Sequence, residues 1–212
     1  MKKPNQNQII SYSIHFVWLS LLFVFLYGST NYLASLEEHH LELYLEIEKE
    51  IPFYPTWILI YFSINGMFLL PLFYLNKKKY RFLSFCFAWI TILASLCFYF
   101  FPMRLGYPKQ EIISSVPFLY EVLYSLEYPH NLFPSLHVAY SFLILRIVLP
   151  KTNFIETWIF LIWFFLLLGS VLFTHQHHLI DILGGLCLTE MVLKLTMYGK
   201  RKRWWLFRRN RT

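Results

Sequence analysis

Charge is scarce in this chain, and aspartate is nearly absent. Only 15% of the 212 residues are charged, and Asp181 is the single aspartate. Soluble domains carry roughly a quarter charged residues, so an ordinary cytosolic fold is excluded. The three cysteines (Cys86, Cys97 and Cys187) all lie inside apolar runs, which excludes a secreted disulfide scaffold. There are no CxxC pairs and no glycine-rich loop, so zinc-finger and P-loop nucleotide readings fail. No internal repeat or low-complexity tract interrupts the chain. The apolar runs are continuous rather than alternating, which excludes a transmembrane barrel.

Apolar and aromatic residues fill the space that charge leaves. They make up 57% and 21% of the chain, with a mean hydropathy of +0.47. Apolar runs fall at about 12–34, 55–75, 82–101, 133–150, 157–174 and 179–198. A helix needs about 20 apolar residues to cross a bilayer, so six spans leave no room for a large extramembrane domain. The first run is too long for a signal-peptide core and lacks a small-residue cleavage site, so it reads as a retained span. The expected fold is all-α: one polytopic domain, a six-helix transmembrane bundle with short interfacial helices on the outer face. Its catalytic core covers about residues 100–185, and a basic tail follows at 199–212.

Basic residues orient the bundle. With the N-terminus inside, 14 of the 19 lysines and arginines fall on the cytoplasmic side, at Lys2, Lys3, Lys77–Lys79, Arg81, Lys151 and in the tail. The outer face keeps Lys49, Arg104 and Lys109. That bias places both termini in the cytoplasm, and the compact chain suggests a bacterial inner membrane with a site facing the periplasm or exterior. The net charge of +7 is then mostly a topology signal. The tail interleaves arginines with Trp204 and Trp205, which fits lipid headgroup contact rather than nucleic acid.

Two outer segments exceed a turn. Residues 37–54 hold six glutamates around Leu41, Leu43, Leu45 and Ile47, a pattern that suits either an unpartnered strand or an interfacial helix. Residues 102–132 contain a short helix expected to begin near Ser115 as N-cap. Its apolar residues, from Ile112 and Val116 through Leu119 and Leu123 to Leu126, recur at helical spacing.

Ionisable residues at the ends of apolar spans demand an explanation. His137, His175, His177 and His178 gather at the outer ends of the last three spans. Asp181 follows His177 by four residues, one helical turn, so both share a face if the last helix begins near His175. A carboxylate accepting the Nδ1 proton fixes the imidazole tautomer and leaves Nε2 as a nucleophile. His137, arriving from another span, can protonate a leaving oxygen. This is the logic of phosphoryl transfer through a phosphohistidine. His15, His39, His40, His130 and His178 read instead as interfacial histidines hydrated at headgroup level. A metal site is the rival, since imidazole and carboxylate are common ligands, but no HExxH-like pairing exists. Arg146 should snorkel to the cytoplasmic interface, and Glu190 should hydrogen-bond to another helix.

Pro134-Ser135-Leu136-His137 resembles the PSGH motif of the type 2 phosphatidic acid phosphatase superfamily, with Leu for Gly. Ser170-Val171, His177 and Asp181 resemble its SR-x5-H-x3-D motif, with Val171 for Arg. FPSLHVA and FTHQHHLIDILGG, with EIPFYPTWILIYFS upstream, are similar to the branch containing inositol phosphorylceramide synthases. The resemblance spans about residues 45–195. It implies a six-helix fold with His177 as nucleophile, Asp181 orienting it, His137 as general acid, and no metal or other cofactor. Ser135 and Ser170 would bind the phosphate, Ser135 at a helix N-terminus whose dipole favours an anion. The superfamily's K-x6-RP motif is absent. FPMRLGYPK stands in its place, so Arg104 first and Lys109 second are the expected phosphate-binding cations.

The expected function is therefore cleavage of a lipid phosphate or phospholipid phosphodiester at the outer face. With water as acceptor it would be a phosphatase. With an alcohol it would be a headgroup transferase resembling inositol phosphorylceramide or sphingomyelin synthases. A catalytically inactive membrane scaffold and a metal-dependent enzyme or transporter are the readings from other classes.

Overall fold

The computed structural model describes residues 3–107, 117–126 and 130–209, and the described chain is helical apart from loops and one isolated bridge between Leu41 and Met103. Helix α1 (Gln6–Ser35) starts at Asn5, whose side chain accepts from Gln8 N while Gln8 returns the bond to the Asn5 N–H. That reciprocal cap satisfies two orphan donors of the first turn. A broken helical segment follows, as α2 (Ile58–Phe62), α3 (Ile64–Met67) and α4 (Leu70–Tyr74). Pro55 opens the turn ahead of α2, and Pro71 sits in the first turn of α4, where a missing N–H is tolerated. Helix α5 (Lys77–Phe100) is capped by Asn76, and α6 (Pro117–Leu126) lies in the connection between α5 and α7. Helices α7 (Leu136–Val148), α8 (Phe154–Phe173) and α9 (Leu179–Arg209) complete the chain.

Four of these segments are long and apolar enough to cross a membrane: Gln6–Ser35, Pro55–Tyr74, Lys77–Phe100 and Phe154–Phe173. They support a membrane protein. The expected fourth span is the short helix α7, whose 13 residues rise only about 20 Å. The expected sixth lies within α9, which continues without a break into the basic tail. Large apolar side chains such as Phe25, Leu21, Phe154 and Phe165 stand exposed on α1 and α8. In a bilayer that exposure is ordinary, because lipid tails are as apolar as leucine.

Packing centres on α7. It is buried along most of its length and contacts α5, α8 and α9. Polar side chains tie the contacts together. Thr91 and Tyr140 share a 2.7 Å hydrogen bond between α5 and α7, and Thr189 donates to the Ala139 carbonyl at 2.9 Å between α9 and α7. Gly185 lets α9 approach: a Cβ there would lie 2.6 Å from the Ser135 carbonyl oxygen. Arg146 pairs with Glu190 of α9, its Nε 2.6 Å from the carboxylate. Glu190 thus makes its expected bond to another helix, and its partner is Arg146, which was expected to reach the cytoplasmic interface.

Residues 37–54 differ from both expected alternatives, whereas the segment 102–132 holds a short helix. Residues 37–54 form neither an extended strand nor an amphipathic α-helix. They carry the single bridge to Met103 and a five-residue 3-10 helix, Glu46–Glu50. The short helix of the second segment is α6, described from Pro117. Ser115, Ile112 and Val116 lie outside the described residues, as does Lys109.

Candidate active site

Helix α8 ends in a tight reversal. Thr174 N and Oγ1 both donate to the Ser170 carbonyl, and the N–H groups of Gln176 and His177 both donate to the Val171 carbonyl. His175 takes φ +54°, a left-handed conformation that histidine adopts more readily than most residues. Its Nε2 is 2.9 Å from the Ile51 carbonyl, which anchors the turn. The chain therefore reverses within five residues, and α9 starts at Leu179 rather than near His175.

His177 and Asp181 are thus joined by a turn and the first residues of a helix. His177 Nδ1 stands 3.3 Å from Asp181 Oδ2, and both side chains are buried. The same oxygen accepts the His178 N–H at 2.8 Å, so Asp181 caps its own helix while facing the imidazole. Its carbonyl in turn accepts the Ser135 N–H at 3.0 Å. That bond locks the start of α7 to the start of α9, and it is what brings the two motif segments together.

His137 lies in the first turn of α7. Its ring stacks on Tyr61 at 3.9 Å between centroids, and its buried Nε2 has no hydrogen-bond partner. His137, His177 and Arg104 line one cavity of about 1030 Å³. Ser135 and Ser170 do not. Ser135 is fully buried as the N-cap of α7, its Oγ accepting from Val138 N at 3.4 Å. Ser170 is also fully buried and donates back to the Leu167 carbonyl at 2.8 Å. Among the described residues Arg104 is the only lysine or arginine lining the cavity. It is exposed and ion-paired to Glu42, its Nε at 2.6 Å. Hydrogen bonds from Tyr44 and Arg104 hold the Glu42 carboxyl below its usual range. Val171, where the resembling motif has Arg, packs in an apolar cluster with Ile58, Tyr61, Val138 and Ile182.

Two residues were missed or misread from sequence. Glu48 is 2% exposed. One carboxylate oxygen accepts from Leu179 N at 2.8 Å and stands 3.1 Å from His178 Nδ1; the other accepts from Leu45 N at 2.8 Å. It completes the N-terminal cap of α9, where a carboxylate is favoured by the helix dipole. His178 is not a hydrated interfacial histidine: it is 1% exposed. Its Nε2 accepts the Gly106 N–H at 3.0 Å, which makes Nδ1 the protonated nitrogen donating to Glu48. Burial pushes His178 below its usual range, against the raising pull of Glu48 and Asp181. Tyr44 and Tyr107 stack on His178 at 4.8 and 4.4 Å, and Tyr107 also stacks on His175 at 4.0 Å. Gly106 has no room for a side chain, since a Cβ would meet the Tyr44 ring at 2.5 Å. The Tyr107 hydroxyl donates to the His177 carbonyl at 3.2 Å, and burial holds its pKa well above the usual value.

The two motif segments, delivered to one cavity by α7 and by the α8–α9 turn, now meet a direct comparison. A family model of the PAP2 superfamily matches residues 50–195. The chain belongs to the PAP2 superfamily. No curated protein and no solved structure matches it significantly. The PAP2 match holds His137, His177 and Asp181 and excludes α1 and Glu48. Membership suggests a phosphatase-type function, and a membrane-embedded PAP2 protein is expected to act on lipids. Among the described residues no three His, Cys, Asp or Glu side chains converge as a metal-binding group.

Proposed function

We propose that this PAP2 protein is an integral membrane lipid phosphatase or phosphotransferase working through a phosphohistidine-type intermediate. The observation that carries the reading is the shared cavity, lined by both His137 and His177, the latter held on its Nδ1 side by Asp181. His177 Nε2 attacks phosphorus as the bond to the leaving oxygen breaks, and His137 gives that oxygen its proton. An incoming hydroxyl then attacks the phosphohistidine, the P–N bond breaks, and the acceptor's proton returns to His137. Arg104 is the first cation for the non-bridging oxygens, with Lys109 the second. Ser135 acts by holding the N-terminus of α7, and Ser170 by closing the last turn of α8.

The chain crosses the membrane six times in this reading, with both termini cytoplasmic and the site at the outer face, in a bacterial inner membrane. The distribution of lysine and arginine supports that orientation. Headgroup transfer, resembling inositol phosphorylceramide synthases, is the second reading. The replacement of the motif arginine by the packed Val171 favours it, because one charge that stabilises a phosphate leaving to water is gone.

The test is incubation of the purified protein with labelled lipid phosphates and phospholipids, followed by mass spectrometry of products. Free phosphate identifies the phosphatase, and an exchanged headgroup identifies the transferase. Turnover is expected to survive chelator and to be inhibited by vanadate. If no substrate yields either product, the enzyme reading falls.

A further inference from the structure

Helix α7 exposes one side chain among its 13 residues, and that side chain is Arg146. Its partner on α9, Glu190, is open to the outside as well. The two side chains are 50% and 31% exposed, while Arg146 Nε and Nη2 reach the carboxylate at 2.6 and 3.4 Å. Arg146 lies nine residues past His137, and Glu190 lies nine residues past Asp181. Nine residues of helix descend about 13 Å, so both charges sit at one depth, near the middle of a hydrocarbon core about 30 Å thick. Exposed leucine and phenylalanine are at home there. An exposed ion pair is not, because charges inside a membrane are costly unless they face the protein interior or water. Lys194, one turn nearer the cytoplasm, has a stem long enough to lift its ammonium out of the core. Glu190 is too short to do so, and it holds Arg146 beside it.

The face around the pair is bare. Helix α9 packs against α7 and α5. Leu183, Cys187 and Met191 recur at one-turn intervals on it, flank Glu190 and stand exposed. We infer that a second copy of this chain covers this face, making a twofold dimer across α7 and α9. Both copies insert in the same orientation, so the twofold axis runs along the membrane normal. A half-turn about that axis keeps depth and reverses the lateral order of the pair, which sets each Arg146 against the Glu190 of the other copy. Four charges of alternating sign then form a ring removed from lipid, each flanked by its opposite. The inference takes the depth of the pair from the six-span reading above and nothing from the catalytic one.

The full chain carrying Cys97→Ser has Cys187 as its exposed thiol, because Cys86 is buried. In native membranes a short, membrane-permeant bismaleimide is expected to give a dimer band on a denaturing gel, and Cys187→Ser should remove it. The ring is tested by exchanging its signs. Arg146→Glu combined with Glu190→Arg keeps a pair within each copy, so this variant is expected to fold and to crosslink with itself. Against the natural chain it sets Arg on Arg and Glu on Glu. Co-purification of the two, co-expressed with different tags, should fall at least about tenfold below that of two natural copies. Undiminished co-purification, or a monomer band throughout, would overturn the dimer. A membrane-impermeant maleimide, added to intact cells and to inverted vesicles, checks the depth, and Cys187 should resist it from both sides. Labelling would remove the six-span placement of α9 and the dimer with it, whereas a shielded Cys187 that never crosslinks removes the dimer alone.

Discussion

His177 and His178 are neighbours in sequence, and each has Nδ1 within reach of a buried carboxylate, yet their surroundings are opposite. His178 is bonded at both nitrogens, to Glu48 and to Gly106, and sits between two tyrosine rings. His177 faces Asp181 at one nitrogen and lines the cavity, and no described residue bonds its Nε2. A fully bonded imidazole has nothing left for substrate. An imidazole bonded on one side is oriented and still reactive. The difference lies in what occupies the second nitrogen, and under the proposed mechanism it divides a structural histidine from the nucleophile.

The sharpest way to break that division is a pair of variants. His177→Ala is expected to lower kcat by more than about 10³-fold, as removal of a nucleophile does, with little change in thermal midpoint. His178→Gln should do the reverse, lowering the midpoint clearly while sparing most of kcat in the protein that remains folded. If the two variants exchange these effects, the roles assigned here are wrong.

A smaller effect is expected from Glu48→Gln. The amide keeps an acceptor for Leu179 N but removes the charge facing His178 and the helix terminus. The expected loss is about 1–3 kcal/mol of stability, read by denaturant titration in detergent, because the buried partners stay only partly satisfied. Unchanged stability would mean that α9 does not depend on this cap.

Acidification gives the finest discrimination. Burial holds His178 and His175 below the ordinary value of 6.5 in the folded protein. Between that value and their lower folded values, the unfolded chain binds protons that the folded chain does not. Stability must therefore fall as pH falls below about 6.5, and rise again toward neutrality. Thermal midpoints measured at about pH 7.5 and 5.5 should show the drop, and His178→Gln should flatten it. A midpoint that rose on acidification would contradict the buried neutral imidazole.

The sequence was legible where the signal was local. Long apolar runs marked the helices, and four-residue spacing marked His177 and Asp181, although a turn rather than a continuous helix joins them. The broken segment 55–74 was less legible, because Pro71 and the kinks around Gly66 sit inside an apolar run that reads as one span. Glu48 was not legible at all. It is one of six glutamates in a short acidic stretch, and its partner is 130 residues away. Nothing local distinguishes it from Glu46 or Glu50. Ser135 and Ser170 were recognisable as motif positions, but only the fold shows their hydroxyls turned to their own helices rather than to the cavity.

The long-range bond from Glu48 also bears on the timing of assembly. A chain made from its N-terminus presents the glutamate early, while the turn that receives it comes nearly last. Until α9 arrives, the carboxylate lacks its imidazole and its helix end, and Asp181 has not yet joined the two motif segments. The contacts that join the two motif segments are therefore absent from any nascent chain that ends before Asp181. Arrival of the first turn of the last helix, rather than its completion, is the event that brings them together.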